Sequence, residues 1–243
     1  MLLRIIFRDR FFPFNLNFYI PPLVTGILGV TCVTFSHVSA RFRAAIALFL
    51  LLSWLPNFFI DQPRFFSSLA SENAPADFNV LSYNVKSYSF GSNKVIPFIA
   101  QTRPDILCLV EGTFRGRAPD NVKKALGDEY HWAVGYTLSI ASRFPIIESK
   151  QVAEVRDIKV IRAVLQTPRG AIAVYDVDVK TPPFRSDQKA FDELYAAIAD
   201  EKLPAIVVGD FNTPRGSYHV NRAMTGWRDS FSESSTDRYL ATW

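Results

Sequence analysis

Apolar and polar positions follow two regimes along the chain. From Phe11 to Ala40 no Lys, Arg, Asp or Glu interrupts 30 residues, and from Ala44 to Ile60 none interrupts 17 more. Neither run carries the polar stripe that a soluble amphipathic helix shows at helical period, so two transmembrane helices are expected, at about residues 18–38 and 44–60. The first has the ~20 residues needed for a ~30 Å hydrocarbon core, and its Pro21, Pro22, Gly26 and Gly29 are tolerated by lipid-embedded helices. The second, AAIALFLLLSWLPNFFI, sits at the short limit and places Trp54 near one end as an interfacial anchor. Ser39 to Arg43 forms the link. A buried helical hairpin of a soluble protein would need the missing polar stripe. A cleavable signal peptide would carry a single apolar stretch of ~7–15 residues ending in small side chains.

Residues 61–77 (DQPRFFSSLASENAPAD) lose the apolar run and read as a linker. From Phe78 the pattern changes to short runs rich in Val, Ile, Tyr and Leu. FNVLSYNV, DILCLVE, LSIASRF, KVIRAVLQ, AIAVYDVDV and AIVVGDF are expected as strands. Helices are expected at Lys94 to Gln101, Asp120 to Leu126, Ser186 to Asp200 and Tyr218 to Thr225. In the third, Phe191, Leu194, Tyr195 and Ile198 recur at spacings of three and four. DILCLVE and AIVVG are apolar on both parities, as central strands covered on both faces would be. The second domain, 78–243, is thus a layered α/β or α+β fold.

Charge sharpens this division. Of 27 basic and 23 acidic side chains, residues 1–60 hold five arginines and Asp9, so the whole net charge of +4 lies there and residues 61–243 are neutral. A basic nucleic-acid-binding domain is therefore not indicated. Two cysteines exclude a disulfide framework or a zinc ribbon, and Cys32 reads as a small packing residue of the first span. A hairpin leaves the N-terminus and the C-terminal domain on one side of the membrane. Arg41 and Arg43 in the link argue for an extracytoplasmic domain, whereas Arg4, Arg8, Arg10 and Arg64 argue the reverse. An interfacial placement of Leu2 to Phe14 would weaken the second count, and the extracytoplasmic placement is the expectation.

Candidate chemistry lies where apolar strands stop at an acid or an amide. In AIVVGDFN, alternation points Asp210 and Asn212 the same way, with Phe211 opposite. Glu111 follows Leu107 and Leu109 on one face of ILCLVEG. Asn84 ends NVLSYNV, and Asp176 with Asp178 shares a face of AVYDVDVK. Oxygen donors gathered at strand ends suit a hard divalent cation such as Mg²⁺. Each has an ordinary reading too: Asp210 and Asn212 as a turn before Pro214, Glu111 as a strand exit, Asn84 as a cap, Asp176 and Asp178 as the solvent face of an edge strand. A Ser-His-Asp hydrolase lacks its G-x-S-x-G signature, and His131 and His219 read as surface or helix residues.

SYNV, PDILCLVEG, SIASRFPI and VVGDFN, in this order from Phe78 onward, resemble the endonuclease/exonuclease/phosphatase superfamily of deoxyribonuclease-like phosphodiesterases. With the two apolar segments, the chain is similar to a bacterial membrane-anchored branch of it. The resemblance implies an α+β, four-layer α/β sandwich with two packed β-sheets flanked by helices, preceded by the two-helix transmembrane hairpin. It implies Glu111 and Asn84 at a Mg²⁺ (or Mn²⁺) ion, Asp210 orienting or deprotonating the attacking water, and Asn212 holding the pentavalent phosphate. Such family members usually carry a histidine where this chain offers Asp178, and close on an Asp-His pair beyond the point where LATW ends this sequence. That pattern implies a truncated sandwich lacking its last strands.

The function expected is a membrane-anchored, divalent-metal-dependent phosphoester hydrolase in the bacterial cell membrane. Its partners would be the lipid bilayer and a nucleic acid, a phospholipid head group or a small phosphorylated molecule, with no protein partner expected. The alternative is a catalytically inactive domain that binds phosphate-bearing ligands or proteins at the membrane, because the usual histidines are missing. A two-helix membrane subunit with an incidental tail is disfavoured, since the tail is three quarters of the chain.

Overall fold

The computed structural model describes residues 9–10, 22–34, 39–45, 47–48, 77–89, 91–113, 120–155, 157–180, 188–214 and 216–230. The chain divides into two compact units. One comprises residues 1–73, 181–191 and 213–243, the other 74–180 and 192–212.

The second unit holds eight described strands in two sheets. Sheet 1 contains β1 (Val80–Asn84), β2 (Ile106–Val110), β3 (His131–Val134) and β4 (Leu138–Ser142), in the order β1-β2-β4-β3. Sheet 2 contains β5 (Ile146–Val155), β6 (Ile158–Thr167), β7 (Gly170–Val179) and β8 (Ala205–Asp210), in chain order. Each sheet is antiparallel except for one outer parallel pair, β1 with β2 and β7 with β8.

Alternation along β2 sorts its apolar residues into two cores. Ile106, Cys108 and Val110 pack with Leu138, Ile140, Ile161, Ala163, Leu165 and Val174, drawn from both sheets. Leu107 and Leu109 pack instead with Val95 and Ile99 of helix α2 (Ser92–Thr102) and Val122 and Leu126 of α3 (Asp120–Leu126). All five β2 residues are fully buried, as its apolar run on both parities predicts. The result is an α/β sandwich with two mixed sheets. Helix α4 (Gln188–Ile198) buries Phe191, Leu194 and Ile198, but Tyr195 of the expected apolar set is half exposed.

Two expectations about strand position are exchanged. AIVVG, expected in a sheet centre, is β8, which lies at the end of sheet 2 among the described residues and is half-buried throughout. AVYDVDV, for which a solvated edge was one reading, is β7, flanked by β6 and β8, with Asp176 and Asp178 buried. An apolar run reports what covers a strand's faces, whereas its neighbours in the sheet depend on pairing. The expectation missed β3 and β5 because β3 has only four residues and β5 (IIESKQVAEV) alternates charged side chains along an outer strand.

In the first unit, α1 (Pro22–Thr34) begins at a proline, whose fixed φ suits a first helical position. Among the described residues no helix is long and apolar enough to cross a membrane. Within the expected span 18–38 the described helix has 13 residues, or about 20 Å at 1.5 Å per residue. Residues 18–21 and 35–38, and most of the second expected span, lie outside the described residues. The expected link is itself helical at residues 40–43, with Arg43 N–H donating to Ser39 O at 3.0 Å. Helix α5 (Tyr218–Ala223) is capped by Ser217, whose hydroxyl accepts from the N–H groups of His219 and Val220. Buried Asp9 extends that cap by accepting from Ser217 Oγ and, at 2.6 Å, from Tyr218 N–H.

Candidate active site

Strand alternation and register bring three of the expected residues to one rim of the sandwich. Val80 of β1, Val174 of β7 and Val208 of β8 border the core between the sheets, so Asn84, Asp178 and Asp210, each an even number of residues onward, share the inward-facing parity. All three sit at the C-terminal ends of parallel strands. Asp178 and Asp210 are register partners. Across the sheets, Asn84 Nδ2 donates to Asp210 Oδ2 at 2.8 Å. The other Asp210 oxygen accepts from the N–H of Asn212 at 2.9 Å.

Glu111 reaches this rim by another route. Leu107 and Leu109 face the helices, and continued alternation would send Glu111 the same way. Its φ of 54° instead ends β2 in the left-handed region, which is uncommon for a residue with a long side chain. Three further left-handed residues follow Asn84: Lys86 (φ 44°), Ser87 (52°) and Tyr88 (60°). Their turn grips the Glu111 corner, because Ser87 N–H donates to Glu111 O at 3.1 Å and Tyr88 Oη donates to Gly112 O at 3.3 Å. Burial pushes the Tyr88 phenol up to about 12, so it remains a donor. Clustered left-handed residues of this kind are a mark of functional sites. The sequence signal for this turn is absent, since KSY contains neither Gly nor Asn.

Asn212 departs from the expected geometry. β8 stops at Asp210, and Asn212 lies in a left-handed turn with φ 47°, so alternation no longer sets its direction. Its amide donates to Val179 O at 2.9 Å and ties the end of β7 to the GDFN turn. Gly209 has a backbone reason to be glycine. Its φ is 131°, and a Cβ there would lie 2.0 Å from Val177 O, its register partner's carbonyl.

The electrostatics are those of crowded acids. Desolvation raises the Asp178 carboxyl above its ordinary range; Lys159 and Lys180 oppose this, while Glu111 and Asp210 reinforce it. Asp176 is fully buried and neither carboxyl oxygen has a hydrogen-bond partner among the described residues. Its pKa lies well above the usual range, through desolvation first and the Asp178 charge second; the N–H groups of Val177 and Ser139 moderate this without hydrogen bonds of good geometry. His131 is exposed at the start of β3, and His219 is buried beside Asp9 in the first unit.

The donor set suits Mg²⁺, which takes one or two carboxylates and keeps several waters. Glu111 supplies a carboxylate. Asn84 Oδ1 accepts from Lys86 N–H at 2.8 Å and retains a second lone pair. A dication here would offset the Glu111 and Asp210 charges, which add to the desolvation that raises Asp178. Among the described residues no group of three or more His, Cys, Asp or Glu side chains is placed to hold a metal ion.

Comparison with known proteins decides the family. The pattern of the endonuclease/exonuclease/phosphatase family matches residues 78–243. The chain belongs to that family. Members are typically hydrolases acting on phosphoesters, and the family generally uses divalent metals such as Mg²⁺. No curated protein sequence matches the chain. Among solved structures it is similar to TDP2 of D. rerio complexed with a single-strand DNA product, at 16% identity, 60% of this chain, 64% of that chain and a TM-score of 0.47. It is also similar to sphingomyelinase C of Streptomyces griseocarneus, at 17%, 60%, 68% and 0.44. A family protein of Bacteroides thetaiotaomicron gives 17%, 61%, 66% and 0.45. The chain thus spans less than two thirds of the length of the D. rerio protein.

Proposed function

We propose that this family member is a membrane-anchored, divalent-metal-dependent phosphoester hydrolase of the bacterial cell membrane, with its catalytic domain on the extracytoplasmic side. The observation that carries the catalytic part is the Asn84 to Asp210 hydrogen bond, which joins the two parallel pairs where Asp178 stands in register. Asp210 accepts from two N–H donors and is held as an acceptor, oriented to draw a proton from an attacking water. Asp178, buried and in register with Asp210, adds a second carboxylate to this rim, suited to bind the metal or to take a proton. Asn212 fixes the end of β7 and so the spacing of these two acids. Glu111 and Asn84 would hold Mg²⁺ or Mn²⁺, which supplies charge stabilisation to the phosphoryl oxygens.

Anchoring is supported by the uncharged runs 11–40 and 44–60, and by the exposure of Val24, Ile27, Leu28 and Val30 on α1. The neutral charge of residues 61–243 disfavours tight duplex binding, so a phospholipid head group or a small phosphorylated molecule precedes a nucleic acid among substrates.

The test is hydrolysis of bis(4-nitrophenyl) phosphate with Mg²⁺ or Mn²⁺ by detergent-solubilised protein. Glu111→Ala and Asp210→Ala should each lower the rate by about 10²-fold or more. Equal rates in wild type and both variants reject the hydrolase. Release of the protein from membranes by alkaline carbonate, without detergent, rejects the anchor.

A further inference from the structure

Glu111, Asp178 and Asp210 bring carboxylates to one rim, and a phosphoryl group adds more negative charge. A cation from the protein would offset part of that charge beside any metal. Lys159 is placed to supply it. It is the register partner of Asp178 across β6 and β7. Ile161, Ala163 and Leu165 of β6 lie in the core between the sheets, so Lys159, of the same parity, opens β6 toward the same face as Asp178.

The ammonium is held by a ring and a hydroxyl. Lys159 Nζ lies 5.1 Å from the Tyr136 ring centroid and donates to Thr137 Oγ1 at 3.2 Å. Neither of these partners carries charge. The carboxylates that flank Lys159 in register, Glu154 on β5 and Asp178 on β7, make no ion pair with it among the described residues. A lysine ammonium has three N–H donors, so capacity for an anion remains. The turn that carries Tyr136 and Thr137 is itself pinned to the Glu111 corner. Gly112 N–H donates to Thr137 O at 3.2 Å, and Thr113 Oγ1 donates to Tyr136 O at 2.7 Å. One set of hydrogen bonds thus links Lys159 to the Glu111 strand exit, and strand register links it to Asp178. Lys180 also neighbours Asp178, but it is exposed at the strand's end.

We propose that Lys159 is a phosphate-binding residue of this rim, oriented by Tyr136 and Thr137 to take a non-bridging oxygen of a phosphoryl group. The assignment rests on the reading of the rim as a phosphoester site. Holding the long side chain in advance lowers the entropy lost when the anion binds. Tyr136 is 52% exposed, so its ring is open to solvent as well as facing the ammonium.

The experiment is calorimetric titration of the detergent-solubilised full chain with inorganic phosphate in Mg²⁺ buffer, alongside hydrolysis of bis(4-nitrophenyl) phosphate and a melting temperature for every variant. Lys159→Gln should weaken phosphate about 10- to 100-fold, as expected for loss of a charge-assisted hydrogen bond, while Lys159→Arg stays within about threefold. Tyr136→Leu should weaken it by an intermediate factor, at an unchanged melting temperature. Wild-type phosphate affinity in Lys159→Gln, equal losses in Lys159→Gln and Lys159→Arg, or no phosphate binding by the wild type each overturns the assignment. The two readings fail separately. Phosphate binding that depends on Lys159 without hydrolysis rejects the hydrolase and keeps the subsite; hydrolysis with unchanged phosphate affinity in Lys159→Gln does the opposite.

Discussion

Sheet 1 ends its parallel pair at Asn84 and Glu111, and sheet 2 ends its own at Asp178 and Asp210, yet the two pairs reach the common rim by different means. In sheet 2 both acids lie on paired strands at matching register, so pleat parity alone sets their direction. At Gly209, with φ 131°, a Cβ would run into the backbone of its register partner Val177, so no side chain fits there. In sheet 1 parity serves Asn84 but would misdirect Glu111, which a left-handed turn re-aims. One pair uses backbone proximity and the other backbone strain. The antiparallel strands beside them carry no expected site residue, although β6 contributes Lys159.

Gly209→Ala is the strongest way to break this contrast. Its Cβ would meet backbone atoms in a conformation L residues avoid, and we expect a loss of at least about 4 kcal/mol in urea unfolding. Gly112→Ala is the comparison in sheet 1: its Cβ would meet Leu109 Cβ at 2.7 Å and force a buried side chain to shift, but would meet no backbone atom as near as at Gly209. An equal or greater cost at Gly112 would refute the dependence of sheet 2 on close backbone contact.

Asn84→Ala removes the hydrogen bond between the pairs. Hydrolysis of bis(4-nitrophenyl) phosphate should fall about 100-fold, equivalent to about 2.7 kcal/mol of barrier, while stability changes by less than about 1.5 kcal/mol. A stability loss larger than the barrier change would make that bond structural only.

Sheet 2 also carries an ion pair away from the rim. Glu201 accepts from Arg162 Nε at 2.7 Å and from Tyr175 Oη at 2.6 Å. The Arg162 hydrogen bond, more than any other cause, holds the Glu201 carboxyl down at about 2. A depressed folded pKa contributes stability that is complete above the unfolded value near 4.5 and is lost as pH falls toward 2. Glu201→Gln should cost about 2 kcal/mol at neutral pH and flatten the stability profile between those limits. A profile of unchanged slope would count against the pair.

Asp176 has the opposite sign. Its folded pKa is raised, so its contribution is present below the unfolded value near 3.8 and declines as pH rises above it. In urea unfolding, Asp176→Asn should therefore stabilise at pH 7, with the gain shrinking as pH falls toward the unfolded value near 3.8. Destabilisation at pH 7 would mean that the ionised carboxylate is the form the fold requires. The smallest effect belongs to the outer strand of sheet 2: Ile147 is 60% exposed on β5, and Ile147→Lys should shift the melting transition by no more than about 0.5 kcal/mol.

Much of this arrangement was legible from residue order. The apolar run of β2, the amphipathic spacing of α4 and the polar ends of β1, β7 and β8 all correspond to structural positions. The four-residue HWAV and the charged IIESKQVAEV gave no comparable signal, because a strand with a solvated face needs little apolar content. Asn212 lies outside the alternation expected of it for a local reason: the strand stops two residues before it.

Pleat parity is set by covalent geometry within each strand, so the sequence by itself determined that Asn84, Asp178 and Asp210 stand at strand ends with defined faces. Only the tertiary structure decided that those faces oppose one another, that β7 is interior and β8 lies at the end of sheet 2 among the described residues, and that Lys159 lies beside Asp178. Those facts depend on pairing between segments far apart in the chain. The turn that brings Glu111 to the rim likewise rests on hydrogen bonds from the segment after Asn84, which no local pattern around Glu111 encodes.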